Sequence, residues 1–387
     1  MKIAIVSHDF PPFGFGGVGS YAYDLASALS NKNIDVTVFC GAREKIKKEL
    51  KVKFKIVRLK MLNLPPHSFW FQLQNLSFLK KELKKYDLVI GQSTSFGLIC
   101  LYKNSIKKPL ITVFHGTPLS ELKSFMSSSF KDWTFDEFVY SILEYPLYHL
   151  MNLIEIKKSD HIVSVGYSIL ENIKKEFSLK RKYSVIQNGV NVERINKLLK
   201  NVKSNNNKTR IIFYGRLYYR KGLTFLLDAM KIVVKKFRNV ELNIYGDGPL
   251  ESSSIKFIRE NNLGQNIKLN GFIKNEDLIK DIGKSDIVVL PSLYEAFSIA
   301  YLEAMACKKP LIVFDYPFSR ELITNMKNGI LARKKDINDL NNKIILVIKD
   351  KKLRNRIGQN AYNNVCNSYN SKSIVNKYVK LFNKIVK

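Results

Sequence analysis

Cysteine is scarce in this 387-residue sequence and never paired in spacing: Cys40, Cys100, Cys307 and Cys366 stand far apart, which argues against a zinc site and for a reducing compartment. Acid is short as well, with 33 carboxylates against 64 basic side chains and a formal net charge of +31. No stretch of membrane-spanning length is free of polar interruption; the best, 88–102, is broken by Gln92, Ser93, Thr94 and Ser95. The opening MKIAIVSHDFPP does not read as a secretory leader, because its apolar run is short and ends in two prolines. These absences point to a soluble cytoplasmic protein, or one held peripherally on the cytoplasmic face of a membrane.

What the chain does have is apolar content, 45% of it, ample for two domains with separate cores. The surplus of base fits three accounts: a nucleic-acid partner, an anionic membrane surface, or simply a lysine-rich proteome, and the abundance of Lys, Asn and Ile throughout favours the last. The charge is still partly clustered, with nine bases and two acids in 43–60 and four bases in 80–85. From His67 into the second cluster runs HSFWFQLQNLSFLKKEL, in which Phe69, Leu73, Leu76 and Leu83 repeat at helical spacing. Such a helix can lie in a bilayer interface, but an ordinary core-facing helix is the plainer expectation.

Short apolar runs at 2–7, 35–40, 54–59, 88–91, 110–114, 161–165 and 185–190 alternate with helical stretches and predict a parallel sheet with crossover helices over a first domain, 1–190. The polar segment NVKSNNNK, 201–208, reads as a linker or surface loop near the join. A second alternation follows, with strands expected at 210–214, 240–245, 267–269, 287–290 and 311–315, giving a second domain over 191–369. Residues 370–387 hold a last helix, expected to cross back to the first domain. The loop after the first strand contains G-x-G-x-x-G literally, yet six residues, two of them proline, separate it from the strand, and the next strand ends without an acid to hold a ribose; a nicotinamide site is therefore disfavoured. His115 directly follows the run 110–114, at a strand's carboxyl end, where open α/β sheets place ligands. The aromatic stretch 119–151, with Phe125, Trp133, Tyr140 and Tyr148, fits an acceptor groove, a lipid contact or plain packing equally well.

The most informative stretch is SDIVVLPSLYEAFSIAYLEAMACKKP, 285–310, where Glu295 falls in a loop after a strand and Glu303 in the helix that follows. Backbone N–H groups at the start of that helix suit an anion such as phosphate. Two acids facing phosphate would repel it, so the pair suits neutral hydroxyls, such as those of a ribose and a hexose; the combination describes a nucleotide sugar. The same spacing also fits two solvated charges on an ordinary strand, turn and helix. In the second domain, GRLYYRKG places Arg216 and Lys221 beside a helix start, where a guanidinium and an ammonium can hold a diphosphate without a metal.

The run EAFSIAYLEAMACKKPLI resembles the E-x7-E signature of the retaining glycosyltransferases of family 4, keeping both acids, Phe297, the block 303–306, Lys309 and Pro310, and departing at Ala296, Ser298 and Lys308, where the common form has glycine. GRLYYRKG resembles the family's G-R-L-x-x-x-K-G, and the glycine-rich loop resembles its opening, in which two prolines precede a glycine pair. The resemblance implies the GT-B arrangement: α/β, with two doubly wound Rossmann-like parallel-sheet domains facing across a cleft. It implies a retaining, metal-independent hexosyltransferase with no cofactor, whose donor is a UDP- or GDP-linked sugar and whose acceptor is a hydroxyl, on a lipid-linked glycan or glycolipid among other candidates. In that reading Arg216 and Lys221 neutralise the departing diphosphate, Glu295 holds sugar hydroxyls and Glu303 the ribose. His115 lies near the anomeric carbon. Gly16 and Gly17 let the backbone approach donor and acceptor, Ile273 meets the base, and Phe297, Ser298 and Ile299 complete the nucleotide site. Two rivals stand beside it: a nucleotide-sugar epimerase of the same fold, acting on the donor alone, and a basic nucleic-acid or membrane binding protein without catalysis. Nucleic acid is not expected, because the bases do not alternate with aromatics on one face.

Overall fold

KIAIVS, LVIGQ and LITVF are buried at nearly every position, the mark of strands covered on both faces by helices, as in parallel sheets. A computed structural model describes residues 1–12, 17–42, 49–126, 138–202 and 208–386. It contains two sheets, both parallel throughout. The first joins β1 (Lys2–Ser7), β2 (Asp35–Ala42), β3 (Lys55–Lys60), β4 (Leu88–Gln92), β5 (Leu110–Phe114), β6 (His161–Ser164) and β7 (Tyr183–Val185) in the order β3-β2-β1-β4-β5-β6-β7. The second joins β8 (Thr209–Tyr214), β9 (Val240–Tyr245), β10 (Ile267–Leu269), β11 (Ile287–Val289), β12 (Leu311–Phe314) and β13 (Ile330–Ala332) in the order β10-β9-β8-β11-β12-β13. Each order runs outward in one direction and then doubles back, so each sheet has a switch point, between β1 and β4 in the first and between β8 and β11 in the second.

The chain divides into two units: residues 1–123, 135–188 and 371–387 around the first sheet, and 124–134 and 189–370 around the second. The helix Ser371–Val386 belongs to the first. Ile374, Val375, Tyr378, Leu381 and Phe382 fall on one face of it and are buried. That face packs on the helix Gly17–Ser30, where the buried Tyr21 and Tyr378 hydroxyls hydrogen-bond.

Two expectations are corrected. The last strand of the first sheet is Tyr183–Val185, not 185–190. Its neighbour β6 ends at Ser164, whose carbonyl takes the Ile186 N–H at 3.0 Å; beyond that rung no strand remains to pair with, and Val190 makes only an isolated bridge to Asn370. In the helix His67–Glu82 the buried side chains are Ser68, Phe71, Gln72 and Leu79; of the expected repeat, Leu76 packs partly against the core and Leu83, just past the helix, lies in it, while Leu73 is 47% exposed. Phe71, Leu79 and the following Leu83 enter one cluster with Phe39, Tyr86 and Phe96, and that requirement fixes the rotation of the helix. Among the described residues, no helix is long and apolar enough to cross a membrane.

Candidate functional site

In the second unit the loops leaving β8, β9 and β10 are laced by backbone hydrogen bonds. Gly215 N–H donates to Tyr245 (3.0 Å), Leu217 to Asp247 (2.7 Å) and Gly246 to Gly271 (2.8 Å). Gly246, at φ +129°, passes so close to Gly215 that an added Cβ would lie 2.0 Å from its carbonyl oxygen. The loop from β8 is also tied across the switch point to the loop from β11. Leu293 N–H donates to Arg220 O at 2.7 Å, and Gly222, at φ +75°, sits where a Cβ would come within 1.9 Å of Pro291 O.

This lacing brings together two residues 74 positions apart. Lys221 Nζ donates to Glu295 Oε1 at 2.7 Å, and the same oxygen accepts from Ser292 Oγ at 2.8 Å. Their side chains are 19% and 11% exposed. Burial pushes the Lys221 ammonium below the ordinary lysine range, with Glu295 opposing that shift. Burial by itself would raise the Glu295 carboxyl, but the Lys221 and Arg220 charges outweigh it and hold the group below the usual carboxylate range. Glu295 is therefore a carboxylate at neutral pH, held against Lys221 at the sheet's switch point.

The other expected residues of this unit surround the same strand ends without sharing that pair. Arg216 is exposed; it faces Asp247 at 3.4 Å, with its guanidinium 5.3 Å above the Tyr218 ring. Glu303 lies in the helix Ile299–Ala306 and accepts from Asn275 Nδ2 at 2.8 Å, while Asn275 Oδ1 accepts from Arg194 at 3.0 Å. Phe297 and Ser298 are buried and Ile299 half-buried. Ser298 caps the helix in extended backbone with no side-chain bond to it. The helix is fastened to the strand ends by the Tyr214 hydroxyl, which donates to Ala300 O at 2.6 Å, and by Tyr301, which donates to Leu290 O at 3.1 Å. Ile273 is half-buried just past Gly271, itself at φ +68°.

In the first unit His115 stands at the carboxyl end of β5. Its Nε2 pairs with Gln92 Oε1 at 2.7 Å, at the end of β4, and its ring meets Tyr21 edge-on at 4.6 Å. Burial pushes the imidazole down to about 3, so the ring is neutral at physiological pH. Gly17 opens the helix Gly17–Ser30 with open space where a Cβ would stand, and Gly16 lies outside the described residues. The sign of the resulting pH dependence is definite. Because the folded-state value lies below the unfolded value of about 6.5, the contribution is fully present above that pH and is lost as pH falls toward 3. Urea midpoints measured at pH 7 and pH 5 should fall further for the native chain than for His115→Gln; equal falls would contradict it.

Sequence reasoning missed Ser292, Asn275, Arg194, Gln92 and Tyr21. Only Gln92 carries a local signal, as a polar side chain ending an otherwise apolar strand on the neighbour of β5. Ser292 lies three residues from Glu295, a spacing too common to stand out, and Asn275, Arg194 and Tyr21 depend on contacts between distant segments.

Comparison with known proteins places these residues in context. A family model described as "Glycosyl transferases group 1" matches residues 194–364, and one described as "Glycosyltransferase Family 4" matches 15–194. An uncharacterized glycosyltransferase of Methanocaldococcus jannaschii is 24% identical over 398 aligned positions, covering 99% of this chain and 98% of its own. The N,N'-diacetylbacillosaminyl-diphospho-undecaprenol alpha-1,3-N-acetylgalactosaminyltransferase of Campylobacter jejuni is 29% identical over 180 positions, 46% of each chain. Among solved structures, Anabaena HepE in complex with UDP and glucose superimposes with a TM-score of 0.75 at 20% identity, covering 99% of this chain and 100% of that one.

Proposed function

Because the chain belongs to the family 4 glycosyltransferases and has their GT-B fold, we propose that it transfers a hexose from a nucleoside diphosphate sugar to a hydroxyl with retention of configuration and without a metal. The observation that carries this is the buried Lys221–Glu295 pair at the switch point of the second sheet. In the proposed complex the Lys221 ammonium faces the departing diphosphate and Arg216 swings from Asp247 to join it. Both charges grow in value as negative charge leaves with the nucleotide, which is what lowers a barrier rather than merely tightening binding. Glu295 accepts from sugar hydroxyls, Glu303 from the ribose, and the N-terminal turn at Phe297, Ser298 and Ile299 lies against phosphate. Ile273 meets the base through its backbone.

His115, neutral and aimed by Gln92, approaches the sugar near the anomeric carbon as a hydrogen-bonding group rather than as an acid. No protein nucleophile is assigned; the leaving phosphate oxygen takes the acceptor's proton on the same face. HepE was crystallised with UDP and glucose, which favours a UDP-linked donor here, and the Campylobacter relative's lipid-linked substrate favours an acceptor of that class, met at a membrane surface by a cytoplasmic enzyme.

Calorimetric titration of a panel of UDP- and GDP-hexoses tests the reading. One donor is expected to bind, and Glu303→Ala should weaken it by about tenfold, the loss of one charge-assisted hydrogen bond. Arg216→Ala should cut turnover more than it cuts donor affinity. Failure of the native protein to bind any of the panel would refute the proposal.

A further inference from the structure

At the opposite end of the first sheet from His115, the segments entering β5, β6 and β7 and one face of the helix Ser371–Val386 enclose a groove of about 1570 Å³. Small-molecule pockets run to roughly 1,000 Å³, so its size points to a longer ligand. Nine of its lining side chains are basic and one, Asp160, is acidic. The whole chain has 64 bases to 33 acids, so the groove is far richer in positive charge than the background explains. Asp160 is engaged by Lys103. Lys377, Lys380 and Lys384 share one face of the helix and stand exposed opposite Lys107, Lys108 and Lys182. Lys384 and Lys182 act on His161, whose imidazole is lowered first by burial and then by these charges.

We propose that this groove binds a linear phosphodiester chain built on a polyol or sugar, as a holding site separate from the reacting centre. The chemistry selects that class over its rivals. A concave trough fits a chain better than the plane of a bilayer. Nucleic acid is held by aromatic platforms on which bases stack, and here the ring at the groove, Tyr183, is occupied by Lys174, whose ammonium lies 5.2 Å from its centroid. The groove begins at Pro109, immediately before β5, and His115 follows that strand, so a five-residue strand, about 16 Å at 3.3 Å per residue, separates the two. A chain held there is retained near the first unit without filling the site where bonds change. The inference concerns binding alone and does not rest on the donor assignment.

Fluorescence anisotropy of a labelled glycerol-phosphate oligomer on the full chain tests it directly. Lys380→Glu with Lys384→Glu should weaken binding by about tenfold or more and reduce the slope of log K against log salt by about 1.4, at about 0.7 per phosphate contact. The pair Lys351→Glu and Lys352→Glu, exposed on the second unit, makes the same change in net charge and should alter binding by less than about twofold. Lys107→Glu with Lys108→Glu, from the facing wall, should repeat the first result, which guards against a folding defect of the terminal helix. Equal losses from both charge-matched pairs would reduce the effect to net charge and overturn the proposal. So would tighter binding to a charge-matched oligouridylate, or to phosphatidylglycerol vesicles. Donor titration of the same variants should be unchanged, so failure here and failure of the transferase reading are told apart.

Discussion

Lys221→Ala is expected to reduce turnover by about a thousandfold and to destabilise the second unit by about 3 kcal/mol. The two effects have one origin. Removing the ammonium leaves Glu295, 11% exposed, with Ser292 and the Arg220 charge to offset its burial. Its carboxyl then rises toward or above the ordinary range, and the loop from β11 loses the tether that 2.7 Å contact provides. Adding Glu295→Gln to Lys221→Ala removes the stranded charge, so the double variant should recover most of the lost stability and none of the activity. Urea denaturation and transfer assays on the two variants separate the contributions. A single variant that melts like the native protein and keeps its turnover would show that the pair is surface decoration.

Gly222→Ala should be a severely damaging substitution for a single added carbon, costing about 3 kcal/mol or more. The Cβ it introduces would fall 1.9 Å from the Pro291 carbonyl oxygen, and the residue would hold φ +75°. A carbonyl in the backbone cannot rotate aside as a side chain can, so the loops from β8 and β11 must separate. Donor binding should be lost along with stability. Gly264→Ala supplies the contrast: nothing lies within 4 Å of its Cβ and no positive φ is required. It should change the denaturation midpoint by less than the equivalent of about 0.5 kcal/mol. If the two variants behave alike, the close approach at the switch point is not what holds these loops.

The two predictions mark where reading the sequence succeeds and where it stops. Apolar runs such as 2–7 and 110–114 announce strands because a parallel strand buried on both faces needs nothing but apolar side chains, and that rule is local. GRLYYRKG and the acid pair 295 and 303 announce charges in the loops and helices that follow strands, a signal just as local. What spacing does not disclose is which partner each charge takes. Lys221 turns to Glu295, Arg216 to Asp247 and Glu303 to Asn275, and each choice depends on how the loops from β8, β9 and β11 are laced. In the helix His67–Glu82 the expected repeat holds at Leu76 and Leu83 and fails at Leu73, because Phe71 and Leu79 join the cluster that contains Phe39 and Phe96. Gln92 and Tyr21 reach His115 from separate elements, an arrangement with no periodicity to betray it.

The helix Ser371–Val386 has a consequence for how the protein is made. Its buried face completes the unit begun by residue 1, yet residues 189–370, the bulk of the other unit, are translated in between. A nascent chain that has emerged through residue 188 possesses all seven strands of its first sheet but must carry the face of the helix Gly17–Ser30 uncovered, Tyr21 included, until Tyr378 arrives. At ordinary elongation rates of about 5–20 residues per second, that interval lasts about ten seconds or more. The half synthesised first is thus the half finished last, and its exposed apolar seam is a natural place for chaperones to attend during synthesis.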